Sequence, residues 1–208
     1  MTKTKKLLLA TLVFSLLQLN FIYAQDEAPI EAEPQKIDLY GLGDQNFTIN
    51  AGLFIPLFFF DPTPYDSDGA AAVTNLTVGG AGSLMYEAYL NNNFKIGLEL
   101  GGIFARSPNK NSFFMVPITA RVAYEFHFGQ FSLPLFLGMG INIITYQEEK
   151  NVQFLMKPGV SLYWHYNSDW SFGGNLVYWI SPEYIPADHT QDRIGNFLDF
   201  TLSARYHF

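Results

Sequence analysis

The last eleven residues of this 208-residue chain alternate strictly between apolar and polar side chains. A period of two places the two sets on opposite faces of a β-strand, because successive side chains of a strand point to opposite sides. The run therefore predicts a strand with one apolar face. The apolar set is Leu198, Phe200, Leu202, Ala204, Tyr206 and Phe208, and the polar set is Asp199, Thr201, Ser203, Arg205 and His207.

The same alternation recurs upstream and predicts eight strands. They span residues 45–56, 74–90, 94–105, 113–128, 131–146, 152–166, 170–180 and 197–208. Tight-turn sequences separate some of the strands. Longer links lie at 57–73, 106–112, 147–151 and 181–196. Short turns that alternate with long loops indicate an all-β fold, an eight-stranded antiparallel up-and-down transmembrane β-barrel over residues 45–208.

Residues 1–24 have the pattern of a secretory signal peptide. Three lysines precede the apolar run Leu7–Leu17, and Ala24 offers a small residue at the expected cleavage site. The apolar run is short for a membrane-spanning helix, which needs about 20 residues. Residues 25–44 are acidic and lack periodicity, which indicates a disordered periplasmic leader.

Charge and cysteine content exclude several functions. The chain has no cysteine, so a disulfide framework, a thiolate metal site and a cysteine nucleophile are all excluded. Removal of the three lysines of residues 1–24 would leave nine basic residues against nineteen acidic ones, a net charge of −10. Such a balance argues against nucleic acid as a partner, because that affinity comes mainly from neutralised phosphates.

The orientation of the strands follows from their two faces. The face opposite the apolar one is rich in small residues, which suit the narrow lumen of an eight-stranded barrel. All strand charges fall on this second face, and the four acids and four bases are expected to form an ion-paired lumen, since an unpaired buried charge is costly. These residues are Glu87, Lys95, Glu99, Arg121, Glu125, Lys157, Asp199 and Arg205.

Aromatic residues lie at both ends of the apolar face, next to the short turns and toward the long loops. Membrane barrels have aromatic girdles in the same places, at the two membrane interfaces. The apolar face is therefore predicted to contact outer-membrane lipid. The alternative is a soluble barrel or sandwich with the apolar face inward. Pro117, Pro134 and Pro158 lie inside predicted strands, where each removes a ladder hydrogen bond, so we expect bulges there or positions close to strand ends.

The closing run Phe200–Phe208 resembles the terminal signature of bacterial outer-membrane barrels. With the eight strands and the signal peptide, residues 45–208 are similar in plan to the OmpW, OmpX and OmpA-transmembrane-domain group. The resemblance implies location in the cell outer membrane. It also implies that Tyr206 and Phe208 form an assembly signal, read by the barrel assembly machinery.

Three histidines lie near the short-turn ends of strands on the lumen face: His127, His165 and His207. Imidazole is a common metal ligand, but alternate strands are about 10 Å apart, so we expect polar filling of the periplasmic mouth and no metal site. Ser132, Ser171 and Ser203 lie on neighbouring strands, and the sequence leaves open whether any of them reaches a histidine. We expect no catalytic residues, no cofactor and no enzyme activity.

Three functional hypotheses remain. The first is a monomeric barrel with a plugged polar lumen that acts structurally or binds an external ligand through the loops at 57–73 and 181–196, since exposed loops on a rigid scaffold commonly carry recognition. The alternative is an OmpW-like narrow channel for small or hydrophobic solutes. The third is a lipid-modifying outer-membrane enzyme.

Overall fold

The computed structural model describes residues 40–60, 71–74, 76–107, 109, 111–146, 149–183 and 193–208. Within these ranges the chain forms nine strands. They are β1 (Gln45–Phe60), β2 (Ala71–Val73), β3 (Gly79–Tyr89), β4 (Phe94–Arg106), β5 (Ser112–Phe128), β6 (Phe131–Tyr146), β7 (Glu149–His165), β8 (Trp170–Glu183) and β9 (Arg193–His207). The described ranges contain no helix long and apolar enough to cross a membrane.

Eight of the described strands close into one antiparallel barrel. β1 pairs with β3, each later strand pairs with the next, and β9 returns to pair with β1. The remaining strand, β2, is short and continues the pairing of β1 beyond the end of β3. The predicted eight-stranded up-and-down antiparallel barrel is thus confirmed.

Strand boundaries differ from the predicted ones mainly at the long links: β1 extends to Phe60, β8 extends to Glu183 and β9 begins at Arg193. The second barrel strand begins at Gly79 rather than residue 74, because Thr77 leaves the regular ladder and donates its backbone N–H and its hydroxyl to the Arg106 carbonyl. The link predicted at 147–151 is shorter than expected, because β7 begins at Glu149 rather than at residue 152 and only residues 147–148 separate it from β6. We call the end of the barrel that carries the long links the outer end. One connection at this outer end is therefore as short as the turns at the opposite end.

A bulge near the outer end of β1 changes which side chains face inward. Pro56 pairs with Phe197 and Phe58 pairs with Asn196, so Leu57 is an extra residue on the β1 side. Such an insertion moves the following side chains to the opposite faces. Phe58 is accordingly exposed on the outer face.

The three strand prolines do not produce the expected bulges. Each keeps its pairing with one neighbouring strand, and the pairing with the other neighbour lapses over two residues without a change of register. Pro134 lies near the start of β6, as expected, but Pro117 and Pro158 lie well inside β5 and β7. Each proline lacks a backbone N–H, and the effect on the barrel is a two-residue gap in the hydrogen-bond ladder to one neighbouring strand.

The apolar face points outward, as predicted. Leu98, Leu202 and Phe200 are at least half exposed, whereas the polar face of the same strands is buried. Along β5 the outward apolar residues run from Phe114 to Phe126, and Phe128 extends the exposed face to the short turn. At about 3.3 Å per residue and a tilt of about 40°, the span from Phe114 to Phe126 gives a belt of roughly 30 Å, which matches the hydrocarbon thickness of a bilayer.

The structure describes five residues, 40–44, of the segment that was predicted to be a disordered leader over 25–44. Residues 25–39 lie outside the described residues, but residues 40–44 are placed against the barrel. Gly43 donates its N–H to the Tyr89 carbonyl, and its φ of +97° lies in the left-handed region that favours glycine. This turn directs Tyr40 across the short-turn end of the lumen.

Candidate functional site: the barrel lumen

A cluster of five charged side chains fills the lumen toward the short-turn end. We call Glu87, Lys95, Arg121, Glu125 and Arg205 the charge cluster; all five are at most 4% exposed. Lys95 Nζ lies 3.1 Å from Glu87 Oε2 and 2.8 Å from Glu125 Oε2. Arg205 contacts the same two carboxylates at 3.5 and 3.3 Å, and Arg121 Nε lies 3.3 Å from Glu87 Oε1. Three cations against two carboxylates leave a formal net charge of +1.

Neutral groups complete the surroundings of these charges. Tyr89 and Ser132 donate their hydroxyls to Glu125. The Arg205 guanidinium carbon lies 3.5 Å from the centre of the Tyr163 ring, within the range of a cation–π contact. Buried charges are tolerated when they are both paired and hydrogen-bonded, and this cluster meets both conditions for Glu125.

The remaining predicted lumen charges stand apart from the charge cluster. Glu99 and Lys157 form a separate pair at 2.8 Å, and Lys157 Nζ lies 4.4 Å from the centre of the Trp179 ring. Asp199 is 5% exposed, and in the described part of the chain it forms no ion pair and its Oδ1 has no hydrogen-bond partner. The eight-membered network that the sequence predicted is thus, among the described residues, two ion-paired groups and one carboxyl without an ion pair.

An amide and hydroxyl network lies between β1, β3, β8 and β9 and was not predicted. Asn175 Nδ2 lies within hydrogen-bonding distance of Asn50 Oδ1, Thr201 Oγ1 and Ser203 Oγ at 3.1, 2.8 and 2.6 Å, and Asn50 donates to Ser83 at 2.9 Å. Next to this network lies a cavity of about 20 Å³, which has room for about one water molecule. The only sequence signal for the network was the lumen parity of its members.

The outer half of the lumen is apolar, contrary to the expected polar filling. We call this group the outer cluster, and each member is at most 8% exposed. Its aromatic rings pack edge-on or tilted at centroid distances of 5.1 to 5.9 Å. Apolar residues on the lumen parity close to the long loops were the signal that the sequence offered. The members are Phe54, Ile103, Ala105, Phe113, Met115, Leu155, Trp179 and Phe197.

Tyr40 covers the short-turn mouth of the lumen. Its ring stacks on Tyr89 at 4.8 Å and on His207 at 4.5 Å, and its hydroxyl lies 3.4 Å from His165 Nδ1. Burial, reinforced by the negative charge of Glu125, raises the pKa of the Tyr40 phenol to about 12. Sequence reasoning assigned this residue to the disordered leader and so missed it.

The histidines do not converge on one point. His165 and His207 share a hydrogen-bonding partner, because Ser171 Oγ lies 2.8 Å from His165 Nδ1 and 2.8 Å from His207 Nε2. His127 is separate, with its Nε2 2.9 Å from the Asn92 carbonyl. No group of three possible metal ligands occurs among the described residues. Ser171 has one hydroxyl proton, so one histidine accepts it and the other donates, which makes this a fixed bridge across the mouth.

Comparisons with known proteins agree with this architecture. A protein-family model matches residues 25–206. A protein of Borreliella burgdorferi described as uncharacterized is 31% identical, over 65% of this chain and 74% of that protein. One of Treponema pallidum, also described as uncharacterized, is 32% identical over 62% of this chain and 59% of its own length, so the chain matches less than two thirds of that relative.

Among solved structures, the crystal structure of Neisserial surface protein A matches with a TM-score of 0.56 at 10% identity, over 80% of this chain and 97% of that one. At this identity the likeness concerns the fold. A closed antiparallel barrel with an apolar exterior and a packed lumen defines a small eight-stranded barrel of the bacterial outer-membrane type. Within that class, the chain belongs to the family whose model matches residues 25–206, and it is a relative of the Borreliella protein.

Proposed function

We propose that the protein resides in the outer membrane as a non-conducting barrel that presents its outer loops to the cell exterior. The observation that carries the proposal is the filling of the lumen at three levels: Tyr40 at the short-turn mouth, the charge cluster above it, and the outer cluster toward the long loops. An ion would have to cross tightly packed apolar side chains without water, and burying an unpaired charge is strongly unfavourable. The barrel then serves as a rigid support.

The proposed interaction surface consists of the two long loops predicted from the sequence. Residues 61–70 and 184–192 lie outside the described residues and follow the outer ends of β1 and β8. Part of the first predicted loop, 57–73, is strand, so the free connection is shorter than expected. Recognition by such connections would use the closed barrel as a scaffold and needs no passage through it.

Planar-bilayer conductance of the refolded protein tests the lumen. We expect no conductance from the parent chain or from Glu99→Ala and Arg121→Ala. The double variant Trp179→Ala and Phe197→Ala removes two large rings from the outer cluster, and an equivalent pair of outward changes, Leu176→Ala and Leu202→Ala, is the control. Reproducible conductance from the parent chain that changes with Glu99→Ala or Arg121→Ala would replace this proposal with the narrow-channel hypothesis.

Location and orientation are tested by labelling, which the absence of native cysteine makes specific. Asp66→Cys places a thiol in the first outer connection, and Asn92→Cys places one in a short turn. A membrane-impermeant maleimide is expected to label intact cells only at position 66. Labelling at position 92 alone would reverse the orientation, and equal labelling only after lysis would refute surface exposure.

A further inference from the structure

The outer face of β6 to β9 carries an apolar groove of about 430 Å³. It exists because Gly174 faces outward without a side chain, between the bulky outward residues Phe172 and Leu176 of the same strand. Leu162 on β7 lies directly opposite Gly174, and Phe200 on β9 borders the other side. The volume lies within the range of about 300–1,000 Å³ that is typical of small-molecule pockets.

We propose that this groove binds one acyl chain of a phospholipid from the leaflet on the short-turn side. The groove is continuous with the outward apolar belt, whose residues face hydrocarbon once the barrel spans a bilayer. Trp164 and Phe131 line the end nearest the short turns, where aromatic side chains mark the membrane interface. A chain entering there would run from the headgroup level toward the middle of the bilayer.

The shape of the groove distinguishes it from the rest of the belt. A chain lying in a trough contacts side chains on three sides, and dispersion attraction grows with the number of such contacts. Gly102 on β4 also faces outward, but it does not line this groove. The walls of the groove are formed by the flanking Leu162, Phe172 and Phe200.

The inference rests on the proposed membrane location, and its test separates the two. The protein is reconstituted in phosphatidylcholine vesicles that contain a phosphatidylcholine with a photoactivatable diazirine on one acyl chain, and labelled peptides are identified by mass spectrometry. We expect an excess of label on the β7 and β8 segments over the β3 and β4 segments. Gly174→Leu fills the trough and should abolish the excess, whereas Gly102→Leu should leave it unchanged.

Each other outcome has a definite meaning. Equal labelling of all outward strands in the parent protein would refute the groove while leaving the membrane location intact. No labelling of any strand would refute the membrane location itself. A protein dimer in mild detergent that dissociates with Gly174→Leu would assign the groove to a second copy of the chain. Gly174→Ala, whose added carbon would lie 3.5 Å from the Thr201 carbonyl, provides a milder variant should the leucine impair folding.

Discussion

Glu125 is the residue on which the charge cluster depends most. Its two oxygens face Lys95 and Arg205 at 2.8 and 3.3 Å and also accept from Tyr89 and Ser132, and the residue is fully buried. Because a desolvated charge is tolerated only with its partners in place, neutralising Glu125 leaves two cations with one fewer counter-charge. The formal charge of the cluster then rises from +1 to +2.

We expect Glu125→Gln to lower the free energy of unfolding by about 3–5 kcal/mol, the range found when one partner of a buried ion pair is removed. Urea unfolding of the protein in vesicles, followed by tryptophan fluorescence, measures the change. Glu183→Gln at the outer end of β8, where the side chain is half-buried and glutamine keeps the acceptor for Asn151, is the matched control and should be near neutral. Adding Lys95→Met should restore part of the loss, and an unchanged midpoint in Glu125→Gln would contradict the role given to the cluster.

Docking of residues 40–44 against the barrel should be lost at alkaline pH, because it depends on the neutral form of Tyr40. Its phenol has a pKa of about 12 when docked against an ordinary value of 10.0, so the neutral form is the one that docks. The contribution is complete below about pH 10 and is lost as the pH rises toward 12, because the undocked phenol ionises first. A spin label on Gly41→Cys should become mobile over this interval.

Tyr40→Phe keeps the stacking ring and removes the ionisable group, so the same label should stay immobile up to pH 12. Mobility that rises equally in both proteins would show that another group controls docking. Tyr40→Ala should leave the label mobile at every pH, because the contacts with Tyr89 and His207 are absent.

For individual residues, the sequence predicted which face of the strand each side chain occupies but not which other side chains it contacts. The parity of Glu87, Arg121 and Asp199 placed all three in the lumen, as observed. Which charges meet depends on strand tilt and on the size of facing side chains, and neither is encoded in local alternation. The sequence therefore predicted Asp199 as part of a balanced network, whereas it forms no ion pair with the described residues and its Oδ1 has no hydrogen-bond partner.

At the scale of the strand, two adjacent glycines of β8 have opposite environments. A side-chain carbon at Gly173 would lie 2.2 Å from the Leu162 carbonyl and 2.7 Å from the Tyr163 ring, so the lumen side is full. One at Gly174 would meet only the Thr201 carbonyl at 3.5 Å, an ordinary contact. The two positions share a strand and differ in the face they occupy.

Gly173→Ala is expected to destabilise the barrel by about 1–3 kcal/mol, as overpacking of a close-packed interior does. Gly174→Ala is the matched control and should change the stability little. Both are measured by equilibrium unfolding in the same vesicles. Equal effects at the two positions would mean that β8 repacks freely and that the lumen is not close-packed.

Strand existence was predictable because alternation is a local property, and all eight barrel strands were found from it. The bulge at Leu57 was not, since one extra residue looks like an irregular alternation in a single strand. The prolines were misjudged for a related reason: each interior residue of an antiparallel strand bonds to one neighbour only, so a proline costs one ladder a short gap and leaves the register unchanged.

At the scale of the whole molecule, the outward belt determines the solvent that the protein requires. Ala120 lies midway between Phe114 and Phe126 on the outer face of β5. We expect Ala120→Arg to cost about 2–4 kcal/mol in a bilayer, as a basic residue does near the midplane of a barrel. Ala120→Leu should be neutral. A neutral or stabilising arginine would show that this face meets water.

Closure of the barrel by β1 and β9 has an electrostatic consequence for assembly. Thr48 and Arg205 come together from positions 157 residues apart, so the joining strand must find its place after a long search, which slows folding. Strands β3 to β7 already contribute three acids and three bases to the lumen, and β9 adds Asp199 together with Arg205 to it. β9 thus adds one acid and one base to the lumen. The lumen face therefore has a formal charge of zero both before and after β9 is added. Insertion of β9 therefore does not have to overcome the repulsion of a net charge on the lumen face.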